Sequence, residues 1–281
     1  LQPYASIIDG RRARVVAKIE DLKCEFGSLK DFASGHEYYG LRREGDRWIL
    51  REWAPNATKI YVIGGFSEWK EDSRYEMKRL EYGNWEFVFP EGSVKHGDKY
   101  KMSVHWNGGQ GERIPAYANR VIQNPETYVF DAQAWQPEKP FEWTDHDFEV
   151  KKGTHLIYEA HIGMSGESEG IASFNDFREK VLPHVIETGY DVLQLMAIQE
   201  HPYYGSFGYH VSNFFAVSSR FGTPEDLKQL INEAHAAGIA VIMDIVHSHA
   251  VKNENEGISR LDGSTDLYFH YGDRGNHPAW D

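Results

Sequence analysis

The chain has 281 residues, of which 41% are hydrophobic and 26% are charged, and its formal net charge is −13. This composition is typical of a folded globular protein, and the length is sufficient for two domains. The negative charge argues against nucleic acid or an anionic membrane as a partner, and no apolar run approaches the roughly 20 residues that cross a bilayer.

The cysteine content and the first residues bear on the cellular compartment. Cys24 is the single cysteine, so the chain cannot form an internal disulfide framework, and this suits a reducing compartment. The opening segment, LQPYASIIDG, lacks the basic and apolar regions of a secretory signal. We therefore expect a cytoplasmic protein.

Residues 1–34 have the spacing of an amphipathic helix, and we interpret them as a helical leader. Apolar side chains recur there at steps of three and four residues, at Val15, Val16, Ile19, Leu22 and Phe26.

From residue 35 to residue 133 the hydrophobic period changes to two. In DKYKMSVHW, Tyr100 and Met102 fall on one face, whereas Lys101 and Ser103 fall on the other. The segments KIYVI and NWEFVF alternate in the same way, and turns containing Gly, Asn and Pro separate these runs. Short strands at this spacing predict an all-β, immunoglobulin-like sandwich.

The remaining residues predict a linker and an α/β domain. Residues 134–153 are rich in Pro and charge and have no clear period, so we expect a linker that lies against the next domain. From residue 154 to residue 281, the apolar segments HLIYEA, DVLQLMAI and GIAVIMDIV alternate with helical patterns. This order predicts a βαβαβ unit whose parallel sheet is covered on both faces.

Two helices connect these predicted strands. The first, SFNDFREKVLPHVIETG, contains Pro183, which should kink or split it. The second should begin with Thr223 as its cap and Pro224 at its first position, and it should end at Gly238. Apolar residues line one face of this helix, at Leu227, Leu230, Ile231 and Ala234.

The motif MDIVHSH places Asp244 at the end of the third predicted strand and His249 in the following loop. The carboxyl ends of parallel strands form the rim where α/β proteins build their sites. A carboxylate at the end of a buried strand is costly unless it has partners. Two interpretations are open: a binding site, or an Asp that caps the amides of its own loop.

A long segment dense in aromatic residues, Gly and His, QEHPYYGSFGYHVSNFFAVSSRFGTPEDL, follows the second predicted strand. Loops of this length in compact domains are usually functional. The alternative is a packed surface loop whose aromatic side chains form a small core of their own.

Three segments together resemble a known family: YEAHIGMSG, LMAIQEHPYYGSFGYHVSNFFAVSSRFGTPEDL and MDIVHSHAVKN. They are similar to the first part of the α-amylase-type barrel of glycogen and starch branching enzymes, in glycoside hydrolase family 13. The segment LREWAPNATKIYVIGGFSEWK resembles the family-48 carbohydrate-binding module that precedes such barrels. The resemblance implies a multidomain fold, in which the sandwich is followed by the first three strands of an incomplete (β/α)8 TIM barrel.

The resemblance also implies roles for individual residues of the barrel. In the family, the Asp and the second His of the strand-end motif bind hydroxyl groups of the sugar at the cleavage subsite. These positions are Asp244 and His249 here. The Tyr of the GY pair stacks on the same sugar, which corresponds to Tyr209. The resemblance gives His247 no sugar role.

In the carbohydrate-binding module, the resemblance points to Trp69 and Lys101 as contacts with glucan. The motif FSEW has Ser67 where the family has Asn. Trp106 does not lie where a second Trp platform is expected, which puts glucan binding by the module in question. Trp69 as a platform and Trp69 as a core residue are therefore both open.

Retaining glycoside chemistry needs a nucleophilic carboxylate and an acid/base carboxyl group about 5 Å apart. In the family these groups lie on the fourth and fifth barrel strands, so the resemblance assigns no catalytic residue to this chain. It implies a parent enzyme that converts α-1,4 to α-1,6 bonds in glycogen or starch without a cofactor, and an inactive fragment. Because an open barrel exposes apolar surface, we also expect aggregation or self-association.

Other functions are open at this stage. The pair His247 and His249 has the look of a zinc motif, although further ligands are not evident and His270 and His277 lack a clear context. A glucan-binding protein without catalysis and a debranching enzyme of the amylase type are the remaining alternatives.

Overall fold

The computed structural model describes residues 2–276, which divide into two compact units at the boundary between Tyr39 and Gly40. His277, considered above as a metal ligand, lies outside the described residues. No helix between residues 2 and 276 is long and apolar enough to span a bilayer.

The first unit is helical, as predicted for the leader. After a short 3-10 turn, its helices are α1 (Ala5–Phe26), α2 (Leu29–Phe32) and α3 (Gly35–Tyr38). None of the residues of α1 is buried, and apolar side chains such as Val15 and Val16 are exposed. Gly27 ends α1 with a φ of 86°.

The second unit begins with a β-sandwich, called the β-module below. Its strands are β1 (Gly40–Glu44), β2 (Arg47–Trp53), β3 (Ala57–Gly64), β4 (Lys78–Arg79), β5 (Asn84–Val88), β6 (Lys99–Trp106), β7 (Gly109–Arg113), β8 (Val121–Gln123) and β9 (Phe130–Gln133). One antiparallel sheet has the order β1-β2-β5-β4, and the other has the order β3-β6-β9-β8, with β7 also paired to β6. The predicted sandwich is therefore confirmed.

Alternation along the strands builds the core of the β-module. Leu50, Ile60, Met102 and Val104 are fully buried between the two sheets. Since neighbouring residues of a strand point to opposite faces, Lys101 lies on the outer face of β6.

An α/β part follows in the same unit. Its strands are β10 (Ile157–Ala160), β11 (Val192–Leu195), β12 (Gln199–Glu200), β13 (Asn213–Val217) and β14 (Ala240–Met243), and its helices are α4 (Phe174–Asp176), α5 (Leu182–Glu187) and α6 (Pro224–Ala236). The strands β10, β11 and β14 form a parallel sheet in that order, as the βαβαβ prediction requires. The strands β12 and β13 pair antiparallel in a separate two-stranded sheet.

The prediction that both faces of this parallel sheet are covered is wrong. The helices cover one face, where Leu193 and Leu195 are buried. On the opposite face, Ile157 is 49% exposed and Ile242 is 43% exposed. In a closed barrel this second face would be the interior, which further strands would fill. The apolar side chains of Ile157 and Ile242 therefore fit the interior of a barrel.

The two connecting helices match their predicted signals. Pro183 lies in the first turn of α5, and a π-helical segment, Phe177–Val181, separates α5 from α4. Thr223 caps α6 and forms a capping box with Asp226. Gly238 follows the helix with a φ of 80°.

Residues 134–153 contain no helix or strand and lie along α6. The Thr144 amide donates to Asn232 at 2.8 Å. The Phe148 ring stacks on His235 with 4.0 Å between the ring centroids. These contacts explain why a segment without periodicity is ordered, while the domain boundaries themselves remain predictions.

The β-module and the α/β part contact each other through polar and aromatic groups. Arg113 is buried and pairs with Glu254 at 3.1 Å. The Asn56 amide donates to Asp262 at 2.9 Å. Gly263 has a φ of 88°, and a Cβ there would collide with the ring of Trp106, so only glycine fits.

Candidate functional site

Asp244 follows β14 directly, at the carboxyl end of the parallel sheet. Its amide donates to the carbonyl of Leu195 at 3.0 Å, which continues the pairing of β14 with β11 by one residue. Because side chains alternate along a strand, Asp244 projects from the same face as Ile242. This is the open, barrel-interior face of the sheet.

Both carboxylate oxygens of Asp244 accept hydrogen bonds from side chains. The Tyr209 hydroxyl donates to Oδ2 at 3.0 Å, and the Gln194 amide donates to Oδ1 at 3.0 Å. Asp244 is therefore held by groups from two other segments and does not cap its own loop. Gln194 is the contact that sequence reasoning missed, and only its place on β11, beside Asp244 on β14, could have indicated it.

Tyr209 also connects Asp244 to His249. The carbonyl of Tyr209 can only accept, so His249 donates from Nε2 at 2.7 Å. The Ser248 hydroxyl lies 2.9 Å from Nδ1 of the same ring. The structure thus brings the three sequence-predicted residues, Tyr209, Asp244 and His249, into one group. Together with Gln194 they are called the rim cluster below.

The environment keeps the Tyr209 hydroxyl protonated. Burial raises its pKa, and the hydrogen bond to the Asp244 carboxylate raises it further. Tyr209 therefore donates a hydrogen bond to Asp244 at neutral pH.

Gly208 sets the position of Tyr209. It has a φ of 89°, and a Cβ at this position would collide with the carbonyl of Ala197. Only glycine combines this conformation with such a close approach of two backbone segments. The structure therefore explains the GY pair, because the close backbone approach at Gly208 allows Tyr209 to reach Asp244.

The loop that carries Tyr209 is closed at its base by Glu200, which is fully buried on β12. The amide of Ser219 donates to Glu200 at 2.7 Å, and Arg220 pairs with it at 3.5 Å. Burial raises the pKa of Glu200, and these contacts partly oppose that effect. The neighbouring His201 is also buried, which lowers its pKa to about 4 and keeps it neutral. The hydrophobic periodicity of the sequence gave no indication of this network.

The two His residues of the HSH motif have different surroundings. His247 is exposed and contacts the carbonyl of Ile245 at 3.1 Å through Nδ1. His249 belongs to the rim cluster. Within residues 2–276, no three His, Cys, Asp or Glu side chains converge as metal ligands. The geometry gives no support to a zinc site.

A second candidate site lies on the β-module around Trp69. The ring is 41% exposed, which favours a platform over a core residue. Lys101 Nζ lies 6.0 Å from the centre of the ring and is itself buried, paired with Asp131 at 3.3 Å. A groove of 320 Å³ adjoins the ring, and its lining residues are Gly65, Phe66, Trp69, Ser93, Asp98 and Lys99.

The turn that presents Trp69 is held by Ser67, the residue at which the motif departs from the family. The Gly64 amide donates to the Ser67 hydroxyl at 3.1 Å, so Ser67 closes the turn on itself. Glu68 and Trp69 have φ values of 52° and 58°, a strained conformation for residues other than glycine. Such strain is common at binding sites.

Trp106 has a different role from Trp69. It packs against Gly263, and the guanidinium of Arg113 lies 5.1 Å from the centre of its ring. Trp106 therefore belongs to the contact between the β-module and the α/β part.

Comparisons with known proteins agree with this architecture. Carbohydrate-binding module 48, the isoamylase N-terminal domain, matches residues 38–118. The α-amylase catalytic domain matches residues 163–279. A pullulanase type I from Bacillus subtilis, solved with maltose, superimposes with a TM-score of 0.67 at 23% identity, covering 87% of this chain and 38% of that chain. At this identity, the likeness concerns the fold.

Curated relatives are closer in sequence. The 1,4-alpha-glucan-branching enzyme of Dictyostelium discoideum is 44% identical over the whole of this chain, which covers 42% of that protein. The enzyme of the same name from Felis catus is 38% identical, again over the whole chain and 41% of that protein. The chain thus spans about two fifths of the length of these relatives. The chain therefore carries a carbohydrate-binding module 48 followed by the first part of an α-amylase-type catalytic barrel, and over its whole length it is similar to 1,4-alpha-glucan-branching enzymes.

Proposed function

We propose that this chain supplies the glucan-binding part of a 1,4-α-glucan branching enzyme. The observation that carries the proposal is the rim cluster, in which Tyr209 joins Asp244 and His249 at the carboxyl ends of parallel strands. The substrate would be an α-glucan such as glycogen, amylose or amylopectin. The whole protein would act in the cytoplasm, without a cofactor.

The rim cluster has acceptors and donors suited to sugar hydroxyl groups. An ionised carboxylate offers about four lone-pair positions, and Tyr209 and Gln194 occupy one on each oxygen of Asp244. The other positions can accept from two neighbouring hydroxyl groups of one glucose ring. Hydrogen bonds that shorten as the ring distorts toward the transition state would lower the barrier.

The bond changes would follow the retaining mechanism. A carboxylate attacks the anomeric carbon of an α-1,4 bond, and a second carboxyl group protonates the departing 4-oxygen. The covalent glycosyl-enzyme then passes its glucan to a 6-hydroxyl, whose proton returns to the second carboxyl group. Asp244 has no part in these transfers, and both carboxyl groups belong to later barrel strands. The chain by itself would therefore be inactive.

The β-module would hold a distant part of the same glucan. The exposed ring of Trp69, the adjoining groove and the charge of Lys101 support this role. Flat aromatic rings offer the apolar surface on which the C–H faces of sugars pack.

The proposal is tested with a protein that carries this chain together with the remaining barrel strands. Asp244→Asn should lower kcat/KM for branching of amylose by about 100-fold, since it removes a charged acceptor. His247→Ala changes an exposed side chain of the same loop that lies outside the rim cluster, so it serves as the control and should retain activity. Equal activity of the wild type and Asp244→Asn would contradict the proposed role.

Analysis of the product linkages separates a branching enzyme from a debranching enzyme. A debranching enzyme would hydrolyse α-1,6 bonds, release linear chains and form no new α-1,6 bonds.

Self-association of the chain, through the exposed face that includes Ile157 and Ile242, is also proposed. A monomer by light scattering at high concentration would contradict it.

A further inference from the structure

The outer face of β6 continues beyond Trp69 as a row of polar side chains. Lys101, Ser103 and His105 alternate with core residues, so all three point away from the sandwich interior. They are spaced about 7 Å apart, two residues of a strand. Lys101 lies next to the Trp69 ring, so this row leads away from the platform along the strand.

Glu71, two residues after Trp69, is fixed on this row. Its Oε1 accepts from the Ser103 hydroxyl at 2.7 Å and from His105 Nε2 at 2.7 Å. Both donors belong to a central strand of the sheet, and the side chain of Glu71 is 36% exposed. Among residues 2–276, no group donates a hydrogen bond to Oε2 of Glu71.

The charge of this carboxylate is maintained. Burial raises the pKa of Glu71, but the hydrogen bonds from Ser103 and His105 outweigh that effect and lower it overall. Lys59 acts in the same direction. A carboxylate that is ionised, anchored through one oxygen and open at the other is a preorganised acceptor for hydroxyl groups.

The opposite face of β6 and β7 contacts the α/β part. Trp106 and Arg113, whose side chains point the other way from the sheet, contact Gly263 and Glu254 of the α/β part. The row with Glu71 therefore faces away from that contact. Tyr61, opposite Ser103 in the pairing of β3 with β6, continues the row with an aromatic ring 5.8 Å from His105.

We propose that Glu71, anchored by Ser103 and His105, is a second glucan contact of the β-module, which accepts hydroxyl groups of sugars that extend from the Trp69 platform along β6. The ligand class is a neutral α-glucan chain long enough to cover both residues. This inference rests on the proposed glucan binding at Trp69, which it extends to a particular direction and a second anchor.

The test measures binding of maltotriose and maltoheptaose to the 281-residue chain by isothermal titration calorimetry. Glu71→Ala should weaken maltoheptaose binding by about tenfold, because a charged hydrogen bond is lost. Binding of maltotriose, which can cover Trp69 alone, should change less than twofold. Glu71→Gln, which keeps an acceptor oxygen, should recover part of the affinity.

Glu68→Ala is the matched control, because Glu68 lies in the same turn, is exposed and pairs only weakly with Lys70 at 3.3 Å. It should bind both sugars like the wild type. Thermal melts establish that each variant is folded.

The outcomes distinguish this inference from the function on which it rests. Equal affinity of the wild type and Glu71→Ala for maltoheptaose, with loss of binding in Trp69→Ala, would overturn the role of Glu71 and leave the platform in place. A loss of the same size for maltotriose and maltoheptaose would also overturn it, since it would indicate a general disturbance of the turn. Absence of binding by the wild type would overturn glucan binding by the β-module itself.

Discussion

At the barrel rim, Asp244 is held by side chains that are distant in sequence, whereas on the β-module Glu71 is held by two residues of one strand. Gln194 and Tyr209 reach Asp244 across separations of 50 and 35 residues. Ser103 and His105 both belong to β6. The rim cluster therefore depends on the whole α/β part being folded, while the module's surface depends on one turn and one sheet.

This difference determines how each site should respond to substitution. At the rim, a change in the backbone should damage both stability and the positions of the polar groups. On the β-module, rings and carboxylates stand on a sheet whose core lies on its other face, so substitutions there should alter binding with little effect on folding.

The largest effect is expected for Gly208→Ala in the loop of Tyr209. The new Cβ would meet the backbone of Ala197 and would hold alanine at a φ of 89°. We expect the free energy of unfolding to fall by about 4 kcal/mol, the sum of strain and overpacking. Urea denaturation measures the change.

Gly65→Ala is the control on the β-module, because no atom lies within 4 Å of a Cβ at that position and its φ is not in the left-handed region. It should change the free energy of unfolding by less than about 0.5 kcal/mol. Similar destabilisation by both substitutions would contradict the contrast between the rigid rim and the open turn.

The next effect concerns Glu52, which lies in the core of the β-module. Its carboxylate accepts from the amides of Trp53 and Ala116, and burial raises its pKa from 4.5 to about 7. A carboxyl group with a raised pKa in the folded state stabilises the fold fully below its unfolded pKa and loses this contribution as the pH rises toward the folded pKa. We therefore expect Glu52 to reduce the free energy of unfolding by about 3 kcal/mol between pH 4.5 and pH 7.

Glu52→Gln removes the titration and keeps one acceptor for the amides. The difference in unfolding free energy between wild type and variant, followed by urea denaturation from pH 4.5 to pH 8, should shift in favour of the variant as the pH rises. A difference that is constant with pH would show that Glu52 does not titrate in this range.

A smaller effect is expected for Gln194→Leu at the rim. Without its amide, one oxygen of Asp244 loses its donor, and the carboxylate is free to rotate. Branching of amylose by the protein with the complete barrel should lose about tenfold in kcat/KM. The effect should fall mainly on kcat, because the interaction matters most with the distorted sugar.

Gln229→Leu is a suitable control for Gln194→Leu, since Gln229 lies on α6 and donates to Glu233 at 2.6 Å, away from the rim. An unchanged kcat/KM in Gln194→Leu would show that Gln194 does not support the proposed role of Asp244.

The smallest effect is expected for Ser67→Ala, in the turn that carries Trp69. The hydroxyl satisfies the Gly64 amide at 3.1 Å, so its loss should weaken maltoheptaose binding about threefold and cost about 1 kcal/mol of stability. Ser67→Asn, which restores an acceptor, should recover most of both. If Ser67→Ala reduced binding as strongly as Trp69→Ala, the ring would not be the main contact.

Much of this architecture could be predicted from local patterns. The period of two along β6 and the capping signals at Thr223 act over a few residues, so they are readable in the sequence. The resemblance of the strand-end motif pointed to Asp244 and His249 for the same reason. That Asp244 and His249 meet through Tyr209 required the structure.

Other features depend on the tertiary fold and left no local signal. Gln194 is an ordinary polar residue in a strand until β14 brings Asp244 beside it. Glu200 and Glu52 are buried carboxylates in segments whose pattern gives no reason for a charge. The strand pattern alone predicted a sheet covered on both faces, because apolar strands look alike whether the barrel is open or closed. The exposed apolar face was expected only from the resemblance to an incomplete barrel.

The proposed sugar site at the rim cluster is tested most directly by a crystal structure of the protein with all barrel strands and a bound maltooligosaccharide. One glucose ring should lie at the rim cluster, with hydroxyl groups within about 3.2 Å of Asp244 and His249 and the ring of Tyr209 against its face. A sugar bound at the active cleft with no contact to Asp244 or His249 would contradict it.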